Sequence, residues 1–320
     1  MSENYSPGPS VIPDSACLPG IKAQGVKRYF GAVRAVDGID FTAPTGAVTA
    51  LIGPNGSGKT TLLLILAGLL QPDSGTAEVA GFDVARQNRQ VRQKVGWMPD
   101  VFGTWDALTC AEILATFGQA YGLPNPAAKD RAFELLEYLY LTEFAKAPAR
   151  VLSRGQKQRL GLARALVHDP EVLLLDEPAS GLDPRSRIEL RQILRDLAQR
   201  GKTVFVSSHV LSELEEVYDH AVFLSQGRTV DATAADQPTQ QRGWRLDAAD
   251  PVSLRVFLDN ADIPYTQTPS GTEVSVQLAG YDSAIALIRA AVNANVPLHT
   301  VAPIAGKLEE TYLALNEERI

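Results

Sequence analysis

Gly53-Pro54-Asn55-Gly56-Ser57-Gly58-Lys59-Thr60 decides the fold. It fits G-x-x-x-x-G-K-[ST] without a mismatch, a pattern that builds a cup for nucleotide phosphates. Gly53, Gly56 and Gly58 let the backbone bend until several N–H groups point into one small space. A polyphosphate there also meets the positive end of the following helix. Lys59 supplies a point charge for the β/γ-phosphates, and the Thr60 hydroxyl is a Mg²⁺ ligand of the right chemistry. Pro54, Asn55, Ser57 and Thr61 complete the candidate binding loop. Upstream, Val48-Thr49-Ala50-Leu51-Ile52 is a short apolar run of the kind found in buried strands. Downstream, Thr61–Leu70 is almost entirely apolar and rich in helix formers, so the expected order is strand, loop, helix. The Leu62–Leu70 run is about half the ~20 residues that a membrane-crossing helix needs.

The bulk numbers are those of an ordinary globular chain. Its 320 residues favour two domains, and 45% hydrophobic with 21% charged residues is unremarkable for a water-soluble protein. A net charge of −7 disfavours a nucleic-acid partner on electrostatic grounds. The two cysteines, Cys17 and Cys110, lack metal-site spacing and fit a reducing, cytosolic compartment. The first residues are polar and Pro-rich, without the apolar core of a signal peptide. No transmembrane segment is evident, so a membrane role is expected to run through a partner.

Residues 1–19 carry Ser, Pro and Gly with little periodicity and read as a disordered tail. From about residue 20 to 230, short apolar runs alternate with amphipathic stretches, the pattern of an α/β domain. Residues 231–242, rich in Ala, Gln, Thr and Asp, read as a linker. A smaller α+β unit over 243–320 follows. Asp250-Pro251 looks like an N-cap and a first helical proline. Val274, Val276 and Leu278 alternate with polar residues as in a strand, and Asp282–Ala291 reads as a helix with Ile285, Leu287 and Ile288 inward. The element order is strand-helix-strand-strand-helix-strand. No internal repeat is visible.

Four further segments carry chemistry. Val172-Leu173-Leu174-Leu175-Asp176-Glu177-Pro178 is a buried-strand run ending in two carboxylates, and ligands of parallel sheets collect at the carboxyl ends of strands. Asp176 is thereby directed to the metal region and Glu177 to an attacking water. Leu152-Ser153-Arg154-Gly155-Gln156-Lys157-Gln158-Arg159-Leu160 opens with Ser153, a good N-cap for a helix whose free N–H groups face outward. Ser180-Gly181-Leu182-Asp183-Pro184 is on its own only a turn. Val204-Phe205-Val206-Ser207-Ser208-His209 is a strand ending in a histidine able to donate to a phosphate oxygen in either protonation state. His168, His220 and His299 have no such placement.

In this order the five segments resemble the ATP-binding subunits of ATP-binding-cassette transporters, exporter type, over about residues 21–230. The resemblance implies a P-loop NTPase fold with a helical subdomain near 101–165, followed by the small α+β domain. It implies ATP and Mg²⁺ as cofactors, held by the Gly53–Thr61 loop with Thr60 and Asp176 on the metal, Lys59 and His209 on the phosphates and Glu177 on the water. It further implies a dimer, of two copies or of paired ATPase subunits. There Ser153, Gly155 and Gln156 of one subunit complete the site of the other, and Ser180–Pro184 resembles the family loop that lies across the interface, with Asp183 among the nucleotide-binding residues. A separate transmembrane permease is the expected partner, which puts the chain at the cytoplasmic face of the cell membrane. The family usually has Gly at the position of Arg154, although related exporters vary there. Its metal-contacting Gln is replaced by Asp100 in Val95-Gly96-Trp97-Met98-Pro99-Asp100, which leaves the role of Asp100 open. The family also stacks an aromatic ring on adenine. Phe30 fits that spacing, with Tyr29 as the rival. Lys307-Leu308-Glu309-Glu310-Thr311-Tyr312-Leu313 resembles the closing helix of exporter-type subunits, or is a plain amphipathic helix. The alternative function is a non-transport ATP switch of the DNA-repair or regulatory kind. Those proteins carry long coiled coils or zinc modules, for which the sequence has no heptads or cysteine clusters.

Overall fold

The computed structural model describes residues 19–101, 103, 106–209, 217–230, 242–267, 273–278 and 281–303. β1 (Ile21–Phe30) and β2 (Val33–Ala43) form a hairpin, and β3 (Val48–Ile52) runs into the glycine-rich loop and α1 (Lys59–Leu66). β4 (Ser74–Val79), β5 (Phe82–Asp83), α2 (Asn88–Lys94) and β6 (Val95–Met98) follow. Three helices come next: α3 (Cys110–Ala120), α4 (Asn125–Tyr138) and α5 (Arg154–Leu166). They lead to β7 (Val172–Asp176), α6 (Pro184–Gln199), β8 (Thr203–Ser208), β9 (His220–Ser225) and β10 (Arg228–Val230). The last described part holds β11 (Arg242–Ala248), α7 (Pro251–Asn260), β12 (Tyr265–Gln267), β13 (Glu273–Leu278), α8 (Tyr281–Asn293) and β14 (Leu298–Pro303).

The strands build three sheets, ordered β2-β1-β4-β5, β10-β9-β3-β8-β7-β6 and β12-β13-β11-β14. In the second, β9, β3, β8, β7 and β6 run parallel. Every residue of β3, β7 and β8 is buried, as their largely apolar sequences require of strands covered on both faces. Alternation along the strands sorts their side chains into two cores. Ala50, Ile52, Leu173, Leu175, Val204 and Val206 meet α3, α4, α5 and α6 through residues such as Leu114, Leu136, Leu160 and Leu194. Leu51, Val172, Leu174 and Phe205 face the other way, onto Leu62, Leu63 and Leu66 of α1 and onto Ile21, Val26 and Ile39 of the antiparallel sheet. Each fully buried Leu or Ile contributes about 1.5–3 kcal/mol. This sandwich is therefore the rigid support for whatever stands at the strand ends.

Two helices differ from the sequence expectation. The apolar run Thr61–Leu70 is helical only to Leu66, because Gly68 turns left-handed (φ +65°) and the N–H groups of Gly68 and Leu69 fold back onto Ile65 and Leu64. In α8 the inward face is Ala284, Leu287 and Ala291, whereas Ile285 and Ile288, expected inside, point outward. Ala284 and Ala291 lie at i−3 and i+4 from Leu287 and so share its face of the helix.

The third sheet has the β-α-β-β-α-β order and antiparallel pairing throughout. Its own core includes Trp244, Leu246, Leu254, Leu258, Val276 and Leu287. Asp250 caps α7 by accepting from the Val252 N–H. β10 ends at Val230 and β11 starts at Arg242, so Arg242 belongs to a strand and not to the linker. The N-terminal tail up to residue 18, Cys17, residues 231–241 and the Lys307–Leu313 segment lie outside the described residues.

Candidate active site

The in-register carboxyl ends of β3, β7 and β8 place Ile52 beside Ser208 and Asp176 beside Ser207. The glycine-rich loop leaves β3 at this edge. Gly58 ends the loop at φ +102°, and a Cβ there would lie 2.2 Å from the Ala35 carbonyl oxygen, so no other residue fits. The Ser57 N–H donates to Pro54 O at 3.1 Å, and the Gly227 N–H donates to Ser57 O at 3.0 Å, which anchors the loop to the β9–β10 turn. Pro54, Asn55 and Gly56 form the exposed rim, Ser57 and Gly53 are buried, and Thr61 is half-buried. Lys59 is buried, and its Nζ donates to Gly53 O at 2.8 Å and Pro54 O at 3.3 Å.

Residues far apart in sequence converge on this loop. The Thr60 hydroxyl donates to Asp176 Oδ2 at 2.8 Å, and the Ser207 hydroxyl donates to Asp176 Oδ1 at 2.6 Å. The same Ser207 oxygen accepts from the Glu177 N–H at 3.0 Å. Glu177 adopts φ +49°, a left-handed conformation uncommon outside glycine, of the kind that clusters at functional sites. His209 Nδ1 lies 2.7 Å from Glu177 Oε2, and Lys59 Nζ lies 3.6 Å from Glu177 Oε1. One carboxylate is thus held between a histidine and a lysine. Asp100 follows β6 at the same edge. Partial burial raises its pKa, as do the negative charges of Asp176 and Glu177, and Arg154 and His209 oppose them. Ser207 was not among the residues singled out from sequence. Its signal was a hydroxyl directly after the apolar run Val204–Val206, in a strand whose every residue is buried.

The loop-proximal hairpin separates the two aromatic candidates. The Tyr29 hydroxyl donates to Asp37 Oδ1 at 2.5 Å, and the Arg228 guanidinium donates to Asp37 Oδ2 at 2.8 Å. These donors hold the Asp37 carboxyl down at about 2, and the same bond raises the Tyr29 pKa. Phe30, by contrast, is exposed at 47%, with the Arg28 guanidinium 4.8 Å from its ring centroid. Arg28 is in turn fixed by Asp73 at 2.7 Å.

Ser153, Gly155 and Gln156 stand at the start of α5. Ser153 Oγ accepts from the Gln156 N–H at 3.3 Å and Gln156 Oε1 accepts from the Ser153 N–H at 2.8 Å, a reciprocal capping box. The Ser153 hydroxyl proton and the Gln156 amide protons remain available as donors in this arrangement. Asp183 caps α6, accepting from the Ser186 N–H at 3.0 Å and the Ser186 hydroxyl at 2.6 Å. The structure therefore gathers Lys59, Thr60, Asp176, Glu177 and His209 into one cluster. Ser153, Gln156 and Asp183 instead form helix caps.

The donor set at this edge suits a hard cation. A hydroxyl and a carboxylate 2.8 Å apart, with a second carboxylate nearby, are oxygen ligands of the type Mg²⁺ takes alongside phosphate. Among the described residues no three His, Cys, Asp or Glu side chains form a self-sufficient metal cage, and Mg²⁺ bound with phosphates needs none. Also among the described residues, no helix is long and apolar enough to cross a membrane.

The sequence model of the family described as ABC transporter matches residues 36–180. The chain is 36% identical over 230 residues to the Nod factor export ATP-binding protein I of Ralstonia nicotianae, covering 72% of this chain and 70% of that protein. It is 33% identical over 301 residues to the daunorubicin resistance ATP-binding protein DrrA3 of Streptomyces coeruleorubidus, covering 92% and 95% of the two chains. A solved ATP-binding cassette, dimeric in a post-hydrolysis state with ADP and Pi, superposes with a TM-score of 0.61 at 26% identity, over 66% of this chain and 97% of that one. With a phosphate-binding loop, two strand-end carboxylates and a strand-end histidine meeting at one sheet edge, the chain belongs to the ABC transporter family, as an ATP-binding ATPase subunit.

Proposed function

We propose that the chain drives export through a separate membrane permease, two ATPase subunits closing on two ATP molecules and parting after hydrolysis. The observation that carries the catalytic part is the convergence of Lys59, Thr60, Asp176, Glu177 and His209. In this reading the loop amides and Lys59 hold the phosphates, and Lys59 exchanges its contacts to Gly53 O and Pro54 O for phosphate oxygens. Thr60 and Asp176 hold Mg²⁺, with Asp100 beside them, and the ion neutralises charge on the phosphate oxygens. Glu177 Oε2 accepts a hydrogen bond from the attacking water. His209 orients that carboxylate and faces the terminal phosphate. Phosphoryl transfer asks mainly for positioning and charge stabilisation, which these groups supply. Phe30 offers its exposed ring to adenine, while Tyr29 is tied to Asp37. Ser153, Gly155 and Gln156 face the nucleotide of the second subunit.

Export is supported by relatives named for Nod factor export and daunorubicin resistance. A cleft of about 200 Å³ includes Leu69, Trp97, Phe117 and Tyr121, with Arg92 and Arg164 on its wall, and its mixed apolar and basic lining is a candidate surface for the permease. The test is ATP turnover by the purified chain and by Glu177→Gln. The variant is expected to keep ATP binding and to lose turnover by roughly 10²–10⁴-fold, the share of a positioned base. Retained turnover in the variant overturns the role of Glu177.

A further inference from the structure

Arg154 is out of place by local rules. It is the first residue of α5, where the helix dipole disfavours a cation. Conflicts of this kind concentrate at functional sites. Its side chain leaves the helix and lies across the turn that follows β7. Arg154 Nη2 donates to Ser180 Oγ at 3.1 Å. At Gly181 an added Cβ would lie 2.5 Å from Arg154 Nε and 2.6 Å from Cζ, so the guanidinium rests directly on that glycine. One residue along α5, a Cβ on Gly155 would sit 3.4 Å from the Leu182 side chain. The start of α5 and the Ser180–Leu182 turn therefore touch at neighbouring points.

The turn leads back to Glu177. The Ser180 N–H donates to Glu177 O at 3.1 Å, and the Leu182 N–H donates to Ala179 O at 3.2 Å. The left-handed backbone of Glu177 is thus braced on both sides, by Ser207 Oγ on its N–H and by the Ser180 N–H on its carbonyl. We infer that Arg154 is a positioning residue for hydrolysis: by clamping Ser180 and Gly181 it holds the backbone of Glu177, and so the direction of its carboxylate, from the start of α5. It acts within one subunit and is distinct from any contact that Ser153 or Gly155 makes to nucleotide. This role rests on the ATPase activity described above.

The test is steady-state ATP hydrolysis by the full chain and by R154A, R154K, S180A and R154A/S180A, with thermal unfolding as the check on folding. R154A is expected to lower kcat about tenfold, a partial misplacement of the reacting groups, with KM for ATP changed less than about twofold. S180A lowers kcat similarly. The double variant is no slower than the slower single one, because both break one link. R154K recovers part of kcat, since its ammonium donates to Ser180 but does not lie flat on Gly181. Unchanged kcat in R154A, losses that multiply in the double variant, or a loss confined to ATP affinity each overturn the clamp. The last would make Arg154 a nucleotide contact. A wild-type chain without ATP turnover overturns the catalytic reading itself, and the clamp with it. Turnover in the wild type that R154A matches overturns the clamp alone.

Discussion

Ser207 carries more of the site than its sequence position advertises. Its hydroxyl gives its proton to Asp176 and accepts from the strained Glu177 backbone, so one buried oxygen sets two carboxylates. Ser207→Ala leaves Asp176 Oδ1 without that donor. Partners of metal ligands are typically worth about 10–100-fold in affinity or activity, and a loss of that size in Mg²⁺-dependent turnover is expected, with the half-saturating Mg²⁺ concentration moved upward. A magnesium titration of turnover reads this directly, and an unmoved midpoint would make Ser207 a packing residue. Lys59→Ala is expected to fail earlier, weakening ATP binding by about tenfold or more because a charge-assisted contact to phosphate is lost. Binding of a fluorescent ATP analogue measures it. The lysine, threonine, two carboxylates and histidine were legible in the sequence because each ends or begins a recognisable segment. Ser207 was not, since its meaning lies in a register opposite Asp176 that only the paired strands reveal.

Caps at the element scale explain where side chains are already engaged. From sequence, Asp183 belonged with the nucleotide contacts; in the structure both its carboxylate oxygens serve the first turn of α6, which keeps its pKa below the usual carboxylate range. Asp183→Ala is expected to cost about 1 kcal/mol of stability, the usual value of an N-cap. A urea unfolding midpoint measures that loss. Weakened ATP binding at unchanged stability would contradict the cap. Strands β3, β7 and β8 could be read from their apolar runs almost to the residue, because burial on both faces makes such strands mostly apolar, with Thr49, Asp176, Thr203, Ser207 and Ser208 as the buried polar exceptions. The helices were harder. In α8, isoleucine and alanine compete for the inner face, and hydrophobicity favours the larger side chain, whereas Ala284 and Ala291 are buried and Ile285 and Ile288 are exposed.

Across the whole molecule, the cores divide by sequence: among the described residues, the cluster around Trp244 and Leu246 draws on residues from Trp244 onward. A chain ending at residue 241 is therefore expected to fold and to bind ATP as the full chain does, checked by calorimetry, and loss of cooperative unfolding would show that the parts depend on each other. Acid stability has an identifiable contributor in His168. Its ring stacks on Tyr121 with centroids 3.7 Å apart, and burial pushes its pKa down to about 4, against the hydrogen bond to Val95 O and the charge of Asp169, with Lys202 and Arg131 adding to the depression. The unfolded chain binds this proton near the ordinary histidine value of 6.5 and the folded chain refuses it, so stability falls as pH drops from 6.5 toward 4. His168→Phe keeps a ring for Tyr121 and is expected to flatten that slope in unfolding curves recorded across the interval. The Asp37 knot has a different consequence. It fastens the β1–β2 hairpin through Tyr29 and Arg228, while Phe30 at the tip stays exposed, paired in the hairpin with Val33 and lying under Arg28. If the proposed stacking on adenine holds, the tip is the place to alter base preference without rebuilding the strand-end cluster of Lys59, Thr60, Asp176, Glu177 and His209.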